Sequence, residues 1–467
     1  MNRVAKYHAI FLLLTSCLGY FFSGYFIERT DFYQLLFVWI SLFTCFYLLI
    51  GNSYLRFKDL AGIAILFRLV LFFQMPNLSQ DFYRFIWDGR MLLEGLNPYL
   101  SLPETFIQFG RSPISEAKTL YHGMGELNGS HYTNYPPLHQ LFFLIAAVFS
   151  SKSIFGSVLV LRVILILADI GILYFGSRLL EKLNLPVSAI FWYFLNPFII
   201  IEMTGNLHFE PIMLFFFVWA LYQLSRKKWI IAALLIACSI SVKLIPLLFL
   251  PLFYQWFLTP SNTIQKNKLE ENSLKSKPLG FAKLLAFYAL ILITTIGLFL
   301  PFYTPELVNN YLNSVGLWFQ KFEFNASFYY LFREVGYAFR GWNEIAIIGR
   351  IIPILTLLFL GGITFFRKNT TLKTLIPALL FGLTFYYFTT TTMHPWYLAT
   401  LILLCVFTKY RFPIVWSLSI ILSYQAYANT PWNENFWFLI LEYLFVFSYL
   451  IFELKKKKQQ AVHIDCT

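Results

Sequence analysis

The sequence predicts an all-α protein that crosses a membrane many times, and three observations predict it. The 467 residues are 58% hydrophobic and 13% charged, with a mean hydropathy of +0.63, too apolar for a water-soluble domain. Apolar runs long enough to span a bilayer recur from one end of the chain to the other. Runs such as FAKLLAFYALILITTIGLFLPFY (281–303) are apolar all round, whereas the strands of a membrane barrel alternate apolar with polar positions. Roughly 12 to 14 transmembrane helices fit the number and length of these runs. The expectation is one integral membrane domain over 1–467.

The first run, YHAIFLLLTSCLGYFFSGYFI (7–27), is longer than a signal-peptide core and lacks a small-residue cleavage site, so it reads as a retained span. The net charge of +13 belongs to the cytoplasmic loops of such a protein rather than to a nucleic-acid binder. Cys17, Cys45, Cys238, Cys405 and Cys466 are scattered, with no CxxC pair and no metal-ligand spacing.

Lysine and arginine then set the topology. Placing inside the N-terminus, the loops around Arg56, Arg178, Arg226, Arg367 and Arg411, the basic stretch 259–280 and the basic tail 454–467 accounts for well over half of the 36 basic residues. Both termini are thereby cytoplasmic. Residues 229–258 have basic loops at both ends and must cross an even number of times, which predicts two short helices, 229–241 and 244–258, meeting near Lys243. Residues 137–180 must cross an odd number of times, so PLHQLFFLIAAVFS (137–150) reads as a re-entrant or interfacial segment before a full span. Two large loops, 76–136 and 304–342, and the connections TGNLHF (204–209) and TTMHPW (391–396) then share the outer face.

That face carries the candidate chemistry. In SQDFYRFIWDGRMLLEGLNPY (79–99), a helix would put Asp81, Arg84 and Asp88 on one side and lay Phe82, Phe85 and Ile86 on the bilayer. The alternative is an interfacial helix whose charges merely face water. In NPFIIIEMTGNLHFEP (196–211), Glu202, His208 and Glu210 cluster at the outward end of an apolar run, where ionisable groups are costly and hence functional candidates. Ordinary solvated loop chemistry is the alternative there. Lys243 interrupts SISVKLIPLLFLPLF, and a cation at that apex suits the phosphate of a lipid carrier. A transporter would show inverted repeats and charges toward both faces, whereas here the polar residues gather on one.

Taken together and in this order, QDFYRFIWDGRMLLEGLNPY, YTNYPPLHQLFF, NPFIIIEMTGNLHFEPIMLFFFVWALY, SVKLIPLLFLPL, FNASFYYLFR and HPWYL resemble the bacterial membrane mannosyltransferases of the GT-C superfamily. The central part is also similar to the catalytic subunit of the first mannosyltransferase of GPI-anchor synthesis. The resemblance covers about residues 76 to 400 and implies an inverting glycosyltransferase in the bacterial cytoplasmic membrane. Such an enzyme takes a sugar, usually mannose, from a polyprenyl-phosphate donor on the outer face, and needs no cofactor. The acceptor is a hydroxyl of a glycolipid, a polysaccharide or a protein. Another sugar on the same scaffold, or a lipid-linked-sugar flippase or transporter, are the alternatives. By position in the matching segments, Asp81 is the base, Lys243 and behind it Arg84 hold the donor phosphate, and His208, Glu210, His394 and Tyr135 contact sugar or acceptor. The family's acidic pair is here Gln80–Asp81, a single carboxylate, so no metal is assigned. Aromatic segments such as SFYYLF and HPWY are candidates for stacking on sugar faces or lining the prenyl groove, with core packing as the alternative.

Overall fold

The structure, a computed structural model, describes residues 2–259 and 279–465, and the basic stretch expected at 259–280 lies almost wholly outside them. Helices α1 (Asn2–Tyr25), α2 (Phe32–Ile50) and α3 (Phe57–Val70) lead into α4 (Asp81–Leu93), α5 (Pro103–Gln108) and α6 (Ala117–Gly129). Next come α7 (Pro137–Phe149), the long α8 (Ile154–Lys182), α9 (Phe191–Phe194), a π-helical segment (Ile199–Gly205), α10 (Glu210–Ser225) and α11 (Trp229–Ile240). A 3₁₀ segment (Ile245–Phe253) runs into α12 (Tyr254–Leu258), followed by α13 (Phe281–Phe299), α14 (Pro305–Gln320), α15 (Phe328–Arg340), α16 (Ile345–Phe366) and α17 (Leu372–Thr389). The chain closes with α18 (Ala399–Val406), α19 (Phe412–Ser419) and α20 (Phe436–Asp465).

Among the described residues seven helices are long and apolar enough to cross a membrane, or eight if the bent pair Val187–Phe194 and Ile199–Gly205 counts as one span. The expected 12 to 14 is larger because it also counts shorter apolar helices, such as Glu210–Ser225 and Trp229–Ile240, as crossings. Burial sorts interior from perimeter: 67% of the α17 span is enclosed by protein, against 17% in α13 and α20. The perimeter helices therefore present apolar side chains to the bilayer, while α10, apolar on every side, is enclosed between α8 and α11. The pair predicted at 229–258 is present as α11 and the 3₁₀–α12 segment, and Lys243 lies in the turn between them. At about 1.5 Å per residue α11 rises only about 18 Å, so that turn lies within the depth of the neighbouring spans.

Buried polar contacts lock the bundle. Arg68 of α3 pairs with Asp169 of α8 at 2.9 Å with both side chains fully enclosed, and Tyr193 adds a hydroxyl at 3.1 Å. Arg162 donates to the carbonyls of Phe72, Gln74, Thr204 and Gly205, which fastens the end of the π-helical segment to the chain after α3. Asn206 accepts from the backbone N–H groups of Asn77 and Leu78, so the 204–209 turn is docked against the start of the 76–136 segment.

One expectation is corrected. α4 is helical as predicted, but Phe82, Phe85 and Ile86 are buried within the protein rather than laid on lipid. α4 packs on α7, with the Phe85 and Phe143 rings stacked at 4.8 Å. Gly89 makes this approach possible, since a Cβ there would run into the Phe143 carbonyl.

Candidate active site

A cavity of about 720 Å³ opens among these elements, with walls drawn from segments far apart in the sequence. The turn between α1 and α2 contributes Arg29, the entry to α4 contributes Gln80 and Asp81, the end of α6 contributes Asn128 and the α6–α7 connection Tyr135. His208, Lys243, His394 and Trp396 come from the connections that the charge pattern put on one face. Five of the seven candidate residues, Asp81, Tyr135, His208, Lys243 and His394, thus line one cavity.

Asp81 sits at the first position of α4, partly exposed to the cavity, with Asn128 Nδ2 3.5 Å from its Oδ1. Burial raises its carboxyl above the usual range; Lys243, the Asn128 amide and Arg29 work against that rise, and Glu210 adds to it. It is the sole acid among the described cavity-lining residues. Gln80 beside it donates its amide to the Met124 carbonyl at 2.9 Å. One carboxylate facing two cations is a donor set that does not fit a divalent metal ion.

Lys243 and Glu210, expected in separate roles, form one ion pair. Glu210, at the start of α10, is fully buried behind the lysine and does not line the cavity, so its expected direct contact with substrate gives way to holding Lys243. The lysine side chain stays 18% exposed, with its ammonium 5.8 Å from the Tyr397 ring centroid. Arg84 is also relocated. Its guanidinium is buried outside the cavity, donates at 2.8 Å to Asp88 and bonds the carbonyls of Asn128 and His131. It organises the α4–α6 wall and does not face a phosphate.

Trp396 is stacked between two imidazoles. His208 lies 4.0 Å away at 16° and His394 4.5 Å away at 7°. Rings that parallel and that close cannot share one face of an indole, so both faces are occupied and the sugar stacking expected of HPWY is not available on Trp396. Tyr329 and Tyr330 of SFYYLF are likewise buried in a small cluster with Ile352 and do not line the cavity. Burial, then Lys243, lowers the pKa of both histidines, His394 to about 3. At neutral pH they are uncharged hydrogen-bonding groups. The charge of the cavity wall therefore rests on Asp81, Lys243 and Arg29.

Arg29 is the residue sequence reasoning passed over. Its signal was a basic residue on the face that the positive-inside bias leaves poor in them, hidden between Glu28 and Asp31. Phe322 and Phe324 were also missed; Phe324 forms an isolated bridge with Thr392, which sets both rings against His394.

Fold and site together define a polytopic helical membrane protein with a charged, aromatic-walled cavity among its spans. Residues 26–259 match the family described as alpha-(1->6)-mannopyranosyltransferase, N-terminal domain, of the MptA/B type, and the chain belongs to that family. The matched stretch holds Arg29, Asp81, Tyr135, His208 and Lys243, and ends before His394. The chain is also similar to the alpha-(1->6)-mannopyranosyltransferase A of Corynebacterium glutamicum, 28% identical over 196 residues that make up 40% of this chain. Those residues span 36% of that relative's length.

Proposed function

We propose that the protein is an inverting glycosyltransferase that moves mannose from a polyprenyl-phosphate donor to an acceptor hydroxyl at the outer face of the cytoplasmic membrane. The observation that carries this reading is the composition of this cavity. Asp81 and two cations line it together with an aliphatic wall, formed by Leu244, Ile245, Leu247 and Leu248 after Lys243 and by Pro353 and Leu357 of α16. Leu247 is 43% and Leu357 60% exposed, so this wall continues onto the apolar outer surface of the spans. A ligand with a charged head and a hydrocarbon tail satisfies both parts, whereas a free sugar nucleotide leaves the aliphatic wall unmatched.

The chemistry follows from the polar residues. Asp81 takes the proton of the acceptor hydroxyl as its oxygen bonds to the anomeric carbon. The bond from that carbon to the phosphate oxygen breaks, its electron pair stays on the oxygen, and the cations stabilise the charge that develops. The family description and the C. glutamicum relative's name support mannose and an α-(1→6) product; with inversion, an α product requires a β-linked donor. The neutral His208 and His394 and the Tyr135 hydroxyl serve as contacts to sugar or acceptor hydroxyls.

Incubation of purified protein with a polyprenyl-phosphate mannose and a membrane lipid extract, followed by mass spectrometry, tests this. Release of polyprenyl phosphate matched by a hexose gained on another molecule is expected. Movement of intact donor across a vesicle without cleavage would replace this reading with transport.

A further inference from the structure

The two cations of the cavity differ in how their charge is balanced. Lys243 is paired with the buried carboxylate of Glu210. Among the described residues no ion pair involves Arg29: its Nη2 donates to Gln80 Oε1 at 3.3 Å, and its guanidinium carbon lies 5.0 Å from the Tyr427 ring centroid. Both of those neighbours are neutral and both line the cavity.

The Gln80 amide is held so that its oxygen meets the arginine. Its nitrogen donates to the Met124 carbonyl at 2.9 Å, and the chain beyond Met124 makes room for it. Gly125 has φ +76°, and a Cβ there would approach the Gln80 nitrogen to 2.9 Å. A carboxylate at position 80 would instead pair with Arg29, cancel its charge and set a second negative charge beside Asp81.

We infer that Gln80 is a positioning residue that keeps Arg29 out of a direct ion pair, as the cation that meets the phosphate of the lipid carrier. This rests on the reading of the cavity as a lipid-phosphate site. A glycosyl phosphodiester carries one negative charge, and once the anomeric C–O bond breaks the released monoester gains a second. Lys243 enters the reaction already paired with Glu210, whereas Arg29, bonded to a neutral amide, brings a guanidinium outside any direct ion pair among the described residues to meet the charge that develops. Arg29 therefore contributes more to turnover than to ground-state binding of the diester.

The test measures binding of a polyprenyl phosphate and of the corresponding polyprenol to purified protein in nanodiscs, with the ratio of the two affinities taken on each sample. Wild type should prefer the phosphate by about tenfold or more, the scale of a charge-assisted hydrogen bond. Arg29→Gln and Gln80→Glu should each remove most of that preference, and Arg29→Lys should keep part of it. Gln80→Met removes the positioning bond without adding charge and should lose only about threefold. In turnover, Gln80→Glu should lower kcat more than it raises the donor KM. A Gln80→Glu protein that prefers the phosphate as strongly as Gln80→Met overturns the inference while the wild-type preference keeps the lipid-phosphate reading. Equal affinity of wild type for phosphate and polyprenol overturns that reading, and the Arg29 inference with it.

Discussion

Asp81 owes its proposed role as the base to its surroundings. A solvated aspartate is a weak base at neutral pH; on the cavity wall, burial raises its proton affinity while Lys243, Asn128 and Arg29 keep it ionisable. Asp81→Asn keeps the size and loses the base, so turnover should fall by about 10² or more with donor binding little changed. A base works deprotonated. The wild-type rate should accordingly fall as pH drops through a pKa above the usual carboxylate range, and this acid limb should be missing from the residual activity of Asp81→Asn. Near-normal turnover in that variant would remove Asp81 from the chemistry. Lys243 calls for a two-part measurement. Lys243→Ala strands the Glu210 carboxylate in the interior, a loss of about 3–5 kcal/mol by analogy with other broken buried pairs, so both donor use and the melting temperature should fall. Adding Glu210→Gln should restore much of the stability but not donor use; recovery of both would place the phosphate elsewhere.

At the scale of elements, α4 behaves as a core helix in spite of its charges. Asp88 is enclosed, accepting from Arg84 Nε at 2.8 Å and Gln140 Nε2 at 2.9 Å, which ties α4 to α7. Arg90 pairs with Glu116 at 3.0 Å and so ties α4 to α6. Asp88→Asn should therefore lower thermal stability and yield, while the protein that folds turns over within a few-fold of wild type. Gly89→Leu should go further and prevent folding, because the side chain would displace α7; a well-folded Gly89→Leu protein would contradict the packing. The helix was legible in the three-to-four spacing of Asp81, Arg84 and Asp88, but that spacing left Arg84 open to a phosphate, and only the packing shows Asp88 holding it. The burial of Phe82, Phe85 and Ile86 was not, because the same periodicity serves a helix on a bilayer and a helix under other helices.

At the scale of the whole molecule, the cavity requires segments from across the chain to end at one depth. Asn97 Nδ2 reaches the Phe302 carbonyl and Asn310 Nδ2 the Tyr99 carbonyl, each at 3.0 Å, so the 76–136 and 304–342 segments are joined around the site. The charge pattern puts both segments outside. In a cysteine-free background, Gly110→Cys and Phe339→Cys, both at exposed positions, should react with an impermeant reagent only from the outer side, and a cysteine near residue 270 only from the cytoplasm. Labelling of position 110 from the cytoplasm would invert the molecule and move the chemistry to the other face.

The amino-acid sequence alone determined the quantities that depend on local composition. Hydrocarbon cannot satisfy a bare backbone, so long apolar runs had to be helices, and the distribution of lysine and arginine between their ends predicted which connections share a face. Proline, polar interruptions and parity located the short pair around Lys243. What only the tertiary structure decided was which side chains become partners. Lys243 looks unpaired in sequence, yet Glu210 compensates it; Arg84 looks available, yet Asp88 holds it; Trp396 looks open to a sugar, yet two imidazoles cover it. Arg29 sits between two acids in sequence and faces a glutamine in space. The physical reason is common to all four: a charge or a ring in a low-dielectric interior is defined by its nearest neighbours, and the sequence allows several where the packing selects one.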